Sequence, residues 1–209
     1  MPSAREARAP LVLASSSPQR RALLERLGVP FTVRAPQTSE LRRGDPGTLA
    51  RENALRKARA ALAPGADEVV LGCDTVVAHG GVIYGKPADE RQARGTLQAL
   101  SGAEHEVISG LALLFGEGRS RQHSAIARTS TAIARTSTAV ARTVVTFREL
   151  GGELLEWYLS TGEWRGRAGG YAIQGAGAAL VRSVQGDYEN VVGLPLASLL
   201  DLYPELLVR

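Results

Sequence analysis

"DEVVLGCDTVVAHGGVIYGKP", residues 67–87, carries the strongest strand signal in the chain. Aliphatic and β-branched residues run from Val69 to Ala78, and Gly80–Gly81 then turns the chain back into Val82–Tyr84, as a two-residue glycine turn does in a hairpin. An antiparallel pair is expected here. One residue breaks the apolar run. Asp74 is a carboxylate that costs several kcal/mol in a buried strand unless it is paired, hydrogen-bonded or bound to a metal. Lys86, in the Gly-Lys-Pro turn after the hairpin, is the natural cation to return to it, and a strand-edge aspartate facing solvent is the plainer alternative.

Working outward, "LVLA" 11–14 reads as a short buried strand, followed by a helix from Pro18 to Leu27 that Gly28 stops. "PFTVRA" 30–35 reads as a strand, and turn-rich "LRRGDPGT" leads into a helix from about 48 to 63. After the hairpin come a helix from about 88 to 100, strands at 105–115 and 143–150, and a helix with the stripe Leu154, Leu155, Tyr158 and Leu159. A glycine-dense loop at 166–177, a strand near 178–184 and a helix near 195–203 complete the order. Strands and helices alternate early and strand pairs dominate the middle, so the expected fold is α/β with a mixed twisted sheet flanked by helices. The 209 residues suffice for one sizeable α/β core, read as a single domain 1–209 with a flexible tail at 1–9.

Residues 125–142, "AIARTSTAIARTSTAVAR", repeat with a period of seven. An odd period turns successive copies to opposite faces of one strand, and the apolar stripe is too thin for a coiled coil. The segment 119–142 is therefore expected to be an expansion of the hairpin joining the strands near 115 and 143, either lengthening it or disordered, without chemistry of its own.

Composition excludes several classes. With 44% hydrophobic and 22% charged residues, no apolar run approaches the roughly 20 residues of a membrane helix. The arginine-bearing "MPSAREARAP" has no apolar segment of signal-peptide length behind it, so a cytoplasmic protein is expected. The single cysteine, Cys73, excludes a disulfide framework and a multi-cysteine zinc site and fits small buried packing. The formal net charge of +4 is a thin excess that puts an anionic partner in view. Its cations are scattered and aromatics are only 5%, without the dense basic stripe of a nucleic-acid surface; a few cations around a small phosphate ligand explain the balance as well as such a surface would, and unselective surface charge is the plain alternative.

"ASSSPQRRALLERLG", residues 14–28, concentrates hydrogen-bonding groups and positive charge at one helix start. Ser17 is placed to cap, Pro18 takes the first helical position, and Leu23, Leu24 and Leu27 form the buried stripe. Gln19 and Arg20 fall in the first turn beside the free N–H groups, where a cation is disfavoured unless an anion offsets it. Plain capping with solvated arginines is the alternative. Glu40, closing "VRAPQTSE", could join Asp74 around a divalent cation, though alone it looks like a surface glutamate. Lys57 lies off the stripe of Leu55, Ala58 and Leu62, so periodicity makes it a solvated lysine. In "GRAGGYAIQGAGAALV" 166–181 the glycines permit close backbone approach, and Gln174 offers a donor and an acceptor suited to a nucleobase edge, if the loop is not merely flexible. His79, His105 and His123 form no ligand spacing and are read as structural or exposed.

"LVLASSSPQRRALLERLGVPF", "NALRKA", "LGCDTVV", "GKP", "LSGAEHEV", "TVVTFREL", "AGGYAIQGAGAALV" and "NVVGLPL" are together similar, in order and spacing, to the Maf family of septum-formation-inhibitor-like nucleotide pyrophosphatases. The resemblance runs from about residue 11 to 203, apart from the heptad expansion. It implies two lobes around a central cleft, an architecture related to inosine-triphosphate pyrophosphatase, and hydrolysis of a nucleoside triphosphate to a monophosphate and pyrophosphate. It implies that Asp74 is the general base and that Ser15, Arg20, Lys57 and Lys86 are phosphate-side residues, which reverses the solvated reading of Lys57. Glu40 matches the family acid after the second strand, and with Asp74 it would hold Mg²⁺ or Mn²⁺. Three positions distinguish the dTTP and UTP branch from the 7-methyl-GTP branch. Thr75 and Gln174 match the pyrimidine branch, whereas Gln19 stands where that branch has an arginine. The expected partner is a nucleotide, with a homodimer allowed and no membrane. The alternatives are a pyrophosphatase for 7-methyl-GTP or ITP, and a non-catalytic nucleotide or nucleic-acid binder.

Overall fold

A computed structural model describes residues 9–116 and 133–208. The expected tail at 1–9, apart from Ala9, the residues 119–132 of the expansion and His123 lie outside them.

The chain begins with β1 (Leu11–Leu13), α1 (Pro18–Arg26), β2 (Phe31–Val33) and α2 (Pro46–Ala61). The hairpin follows as β3 (Val69–His79) and β4 (Val82–Tyr84), then α3 (Glu90–Leu100), β5 (Glu104–Gly116) and β6 (Ile133–Phe147). α4 (Gly152–Thr161), β7 (Val181–Gln185), α5 (Tyr188–Val192) and α6 (Leu196–Leu202) complete it. Seven strands form one sheet in the order β2-β1-β3-β5-β6-β7, with β4 pairing β3. β1 runs parallel to β2 and β3 and the other pairs are antiparallel, so the sheet is mixed as its strand pattern implies. Among the described residues no helix is long and apolar enough to cross a membrane.

β3 is buried along nearly its whole length because both faces are covered. Leu71 and Cys73 pack with Leu23 and Leu24 of α1 and Leu199 of α6, while Val70 on the opposite face packs with Ala54 and Ala58 of α2. α2 lies unusually close. A Cβ at Gly72 would meet the Ala54 carbonyl oxygen at 2.1 Å, and one at Gly110 would meet the Ala50 backbone at 2.3 Å. Two strand glycines thus form the seat on which the small face of α2 rests. Beyond it, Val77, Val107, Val145 and Phe147 pack with α3, α4 and the glycine loop in a second core.

One expectation is corrected. β6 begins well before residue 143, so residues 133–142 of the expansion are strand, paired with β5. Arg135 and Arg142, one repeat apart, do take opposite faces of the sheet, Arg135 over Phe115 and Arg142 beside Gly47 of α2. A register shift between Phe115 and Gly116 inserts one residue, which brings Ile133 onto the face of Val140. Ile133 packs into the core beneath α2, and Val140 lies on that side too, over Gly47 of α2.

Candidate active site

β1 pairs with β3 only as far as Leu71, and β4 takes the same edge from Val77. Between them, residues 72–76 of β3 have β5 on one side and no strand on the other among the described residues. Alternation along β3 sends Asp74 toward α2 and Thr75 toward the opposite layer, so both faces of the sheet reach one gap. A cleft of about 700 Å³ opens there. Its walls come from the loop entering α1, residues 35–40, Lys57, Lys86 and the glycine loop. Crevices at such interruptions of an α/β sheet are where ligands bind.

On the α2 face, Lys57 Nζ lies 2.6 Å from Asp74 Oδ1 and 2.6 Å from Glu40 Oε1. Asn53, one helical turn before Lys57, donates to Asp74 Oδ2 at 3.0 Å. The same side chain is tied to both backbone groups of Leu41, which fixes the segment carrying Glu40. Asp74 is 7% exposed and does not itself line the cleft; Lys57 and Glu40 do. Lys57, not Lys86, therefore meets Asp74, and the periodicity reading of Lys57 as solvated is overturned. The buried face of α2 includes Asn53 among its small apolar residues, and Asn53 is the residue of that face that reaches Asp74. Burial raises the Glu40 pKa, but the hydrogen bond and charge of Lys57, helped by Lys86 and Arg20, hold it below the usual carboxylate range overall.

On the other face Arg20 is 8% exposed. Its Nε donates to the Gly193 carbonyl at 2.8 Å, Nη1 to Ser15 Oγ at 3.0 Å and Nη2 to Thr75 Oγ1 at 3.1 Å. Every partner is neutral. Thr75 is held further by Ser109 Oγ at 2.8 Å, so its hydroxyl orients Arg20. Ser17 occupies the N-cap and Pro18 the first turn, but the Ser17 hydroxyl donates to Gln19 Oε1 at 3.1 Å instead of capping the helix. Ser15 Oγ accepts the Ser17 N–H at 3.2 Å. The start of α1 is thus left without a side-chain cap at the mouth of the cleft.

Ser15, Gln19, Arg20, Glu40, Lys57, Thr75, Lys86 and Gln174 all line this one cleft. Sequence reasoning missed Asn53, Ser109 and the Gly193 carbonyl, which position these residues, and Arg165, Arg167 and Tyr171, which also line the cleft. Arg167 stands in the quoted glycine stretch and Arg165 directly before it, so cations beside glycines were the available signal.

Glu40 and Asp74 present hard oxygen donors to one cationic point. Among the described residues no group of three His, Cys, Asp or Glu could hold a metal ion. A pair of carboxylates fits a divalent ion that takes its remaining ligands from phosphate and water, as Mg²⁺ does.

The Maf-like protein family model matches residues 10–206. A dTTP/UTP pyrophosphatase of Symbiobacterium thermophilum is 43% identical over 188 residues, covering 89% of this chain and 88% of the relative. Similar proteins of the same name are 41% identical in Deinococcus radiodurans, over 92% of this chain and 90% of the relative, and 38% in Pyrococcus furiosus, over 92% and 93%. With a two-faced cleft at the β3 gap and a family match over nearly its whole length, the chain belongs to the Maf-like protein family.

Proposed function

We propose that this chain is a nucleoside triphosphate pyrophosphatase that cleaves the α–β phosphoanhydride of dTTP and UTP, releasing the monophosphate and pyrophosphate in the cytoplasm. The observation that carries the reading is Arg20, a buried guanidinium that, among the described residues, is held by neutral acceptors alone at a cleft wall. A buried cation without a carboxylate partner is stabilised when an anion binds. The names of the relatives support the same substrates.

In this reading Arg20, Lys57, Lys86 and Ser15 hold the phosphates. Charge builds on the pyrophosphate as the bond breaks, so their attraction is stronger in the transition state than in the ground state. Asp74 takes the proton of the attacking water, with Asn53 fixing its second oxygen. Glu40 and Asp74 would hold a Mg²⁺ or Mn²⁺ ion, which polarises the phosphate under attack. Gln174, exposed on the cleft, reads the base, and Thr75 influences selection through Arg20. Gln19, without fixed charge, broadens the range.

The test is a panel of dTTP, UTP, 7-methyl-GTP and ITP with Mg²⁺ or Mn²⁺, with pyrophosphate and orthophosphate measured separately. Pyrophosphate from dTTP and UTP, lost in Asp74→Asn, is the expected result. Orthophosphate as the only product refutes the bond assignment, and faster turnover of the purines refutes the substrate.

A further inference from the structure

Arg167 lines the same cleft as Arg20 from the glycine loop, and the sheet wall does not explain it. Its Nε is shielded from solvent yet has no hydrogen-bond partner, and its guanidinium meets no carboxylate among the described residues. The neighbouring Tyr158 phenol is no hidden anion, because burial raises its pKa and keeps it neutral. A shielded N–H donor without an acceptor is unfavourable in the free protein and is satisfied by a ligand that brings one.

The loop fixes the backbone from which that side chain projects. The Arg167 N–H donates to the Trp164 carbonyl at 3.3 Å, and its own carbonyl accepts from Gly170 at 3.1 Å. Gly169, at φ +69°, donates to the Gly85 carbonyl at 3.1 Å, and a Cβ there would lie 2.8 Å from Val77. The glycine thus lets the loop press against β3 and ties Arg167 to the turn that carries Lys86.

We propose that Arg167 is a further substrate-binding residue, gripping the terminal phosphates of the nucleotide from the glycine-loop wall in concert with Lys86. The assignment rests on the reading of the cleft as a triphosphate site. A planar guanidinium fits two phosphate oxygens at once, which suits the β- and γ-phosphates that leave as pyrophosphate.

The experiment is calorimetric titration of inorganic pyrophosphate and, separately, thymidine monophosphate into the wild-type chain, Arg167→Gln and Arg167→Lys, all with Mg²⁺. Arg167→Gln should weaken pyrophosphate binding at least about tenfold and leave monophosphate binding within about twofold, with Arg167→Lys between wild type and Gln. Equal weakening of both ligands shows a loop-shaping role and overturns the assignment, as does an unchanged pyrophosphate affinity. If Arg167→Gln does not fold, Arg167→Lys decides by the same comparison. A wild-type chain that binds pyrophosphate through Arg167 but does not hydrolyse dTTP sinks the pyrophosphatase reading and leaves Arg167 standing. Hydrolysis that continues with unchanged KM in Arg167→Gln sinks Arg167 alone.

Discussion

Lys57 joins Asp74 to Glu40: its ammonium stands 2.6 Å from an oxygen of each, between a buried strand and a cleft wall. One cation therefore bridges two acids that would otherwise repel each other, and it presents the pair to the ligand. Lys57→Met should lower kcat for dTTP by more than about 100-fold, since it removes both the phosphate contact and the partner of the proposed base. It should also destabilise the fold by about 3 kcal/mol, because a partly buried carboxylate loses its counter-charge. Steady-state kinetics and urea unfolding measure the two effects. Activity within threefold of wild type would show that Lys57 serves the fold alone.

Glu40 is the exposed end of that trio, and its ionisation sets the acid limb. Its carboxyl is held below the usual range mainly by Lys57 against the opposing effect of burial, so it stays ionised as pH falls to where a free glutamate protonates. Activity that needs the Glu40 carboxylate should therefore persist below the pH at which a free glutamate protonates before falling. Glu40→Gln should raise the Mg²⁺ concentration for half-maximal rate at least about tenfold, and chelation should stop turnover until Mg²⁺ or Mn²⁺ is returned. An unchanged metal requirement in Glu40→Gln would remove it from the ligand set.

The alternation of strand and helix signals was enough to read the mixed sheet, because hydrophobic period is local. Where the sheet is interrupted is not local. That β1 releases the β3 edge at Leu71 and β4 takes it at Val77 depends on strand order, and this places Asp74 and Thr75 on two faces of one gap. Lys57 shows the limit most clearly. A stripe counted on leucines and alanines could not reveal that the buried face of α2 also includes Asn53, aimed at a carboxylate on another element. Ser15, Glu40 and Lys57 of the cleft were legible through the family resemblance, whereas Arg165, Arg167 and Tyr171 and the positioning partners, the Gly193 carbonyl and Ser109, were not. A carbonyl carries no residue-type signal, and Ser109 sits within the apolar run of β5 from Val107 to Phe115.

The seat of α2 predicts a sharp contrast among glycine substitutions. Gly110→Ala would place a methyl 2.3 Å from the Ala50 backbone, and backbone cannot yield as a side chain can. The helix must lift from β5, so a loss of about 3 kcal/mol or more is expected, with a drop in activity as Lys57 moves from Asp74. Gly95→Ala, in α3 with open space around it, should instead stabilise by up to about 1 kcal/mol. Chemical unfolding of the two variants checks this, and a mild effect at Gly110 would mean that α2 does not rest on the strand as described.

His105 gives the fold a pH dependence of its own. It is buried, with Nε2 2.9 Å from the Tyr171 hydroxyl, Phe147 and Tyr171 edge-on to its ring, and Nδ1 without a partner. Burial, with a smaller contribution from the charge of His79, lowers its pKa from 6.5 to about 4. The unfolded chain therefore takes up the proton first as pH falls. The stability that neutral His105 contributes is complete above about pH 6.5 and is lost progressively toward pH 4, by roughly 3 kcal/mol at most. Urea unfolding at pH 7.5 and pH 5 should show this loss in wild type. It should be largely absent in His105→Gln, which can still bond Tyr171 but does not titrate. Because Tyr171 lines the cleft, the same acid transition should loosen the glycine loop and weaken nucleotide binding before global unfolding. Equal losses of stability in wild type and His105→Gln would assign the acid sensitivity to the carboxylates, Glu68 and Glu40 among them, whose depressed pKa values act at lower pH.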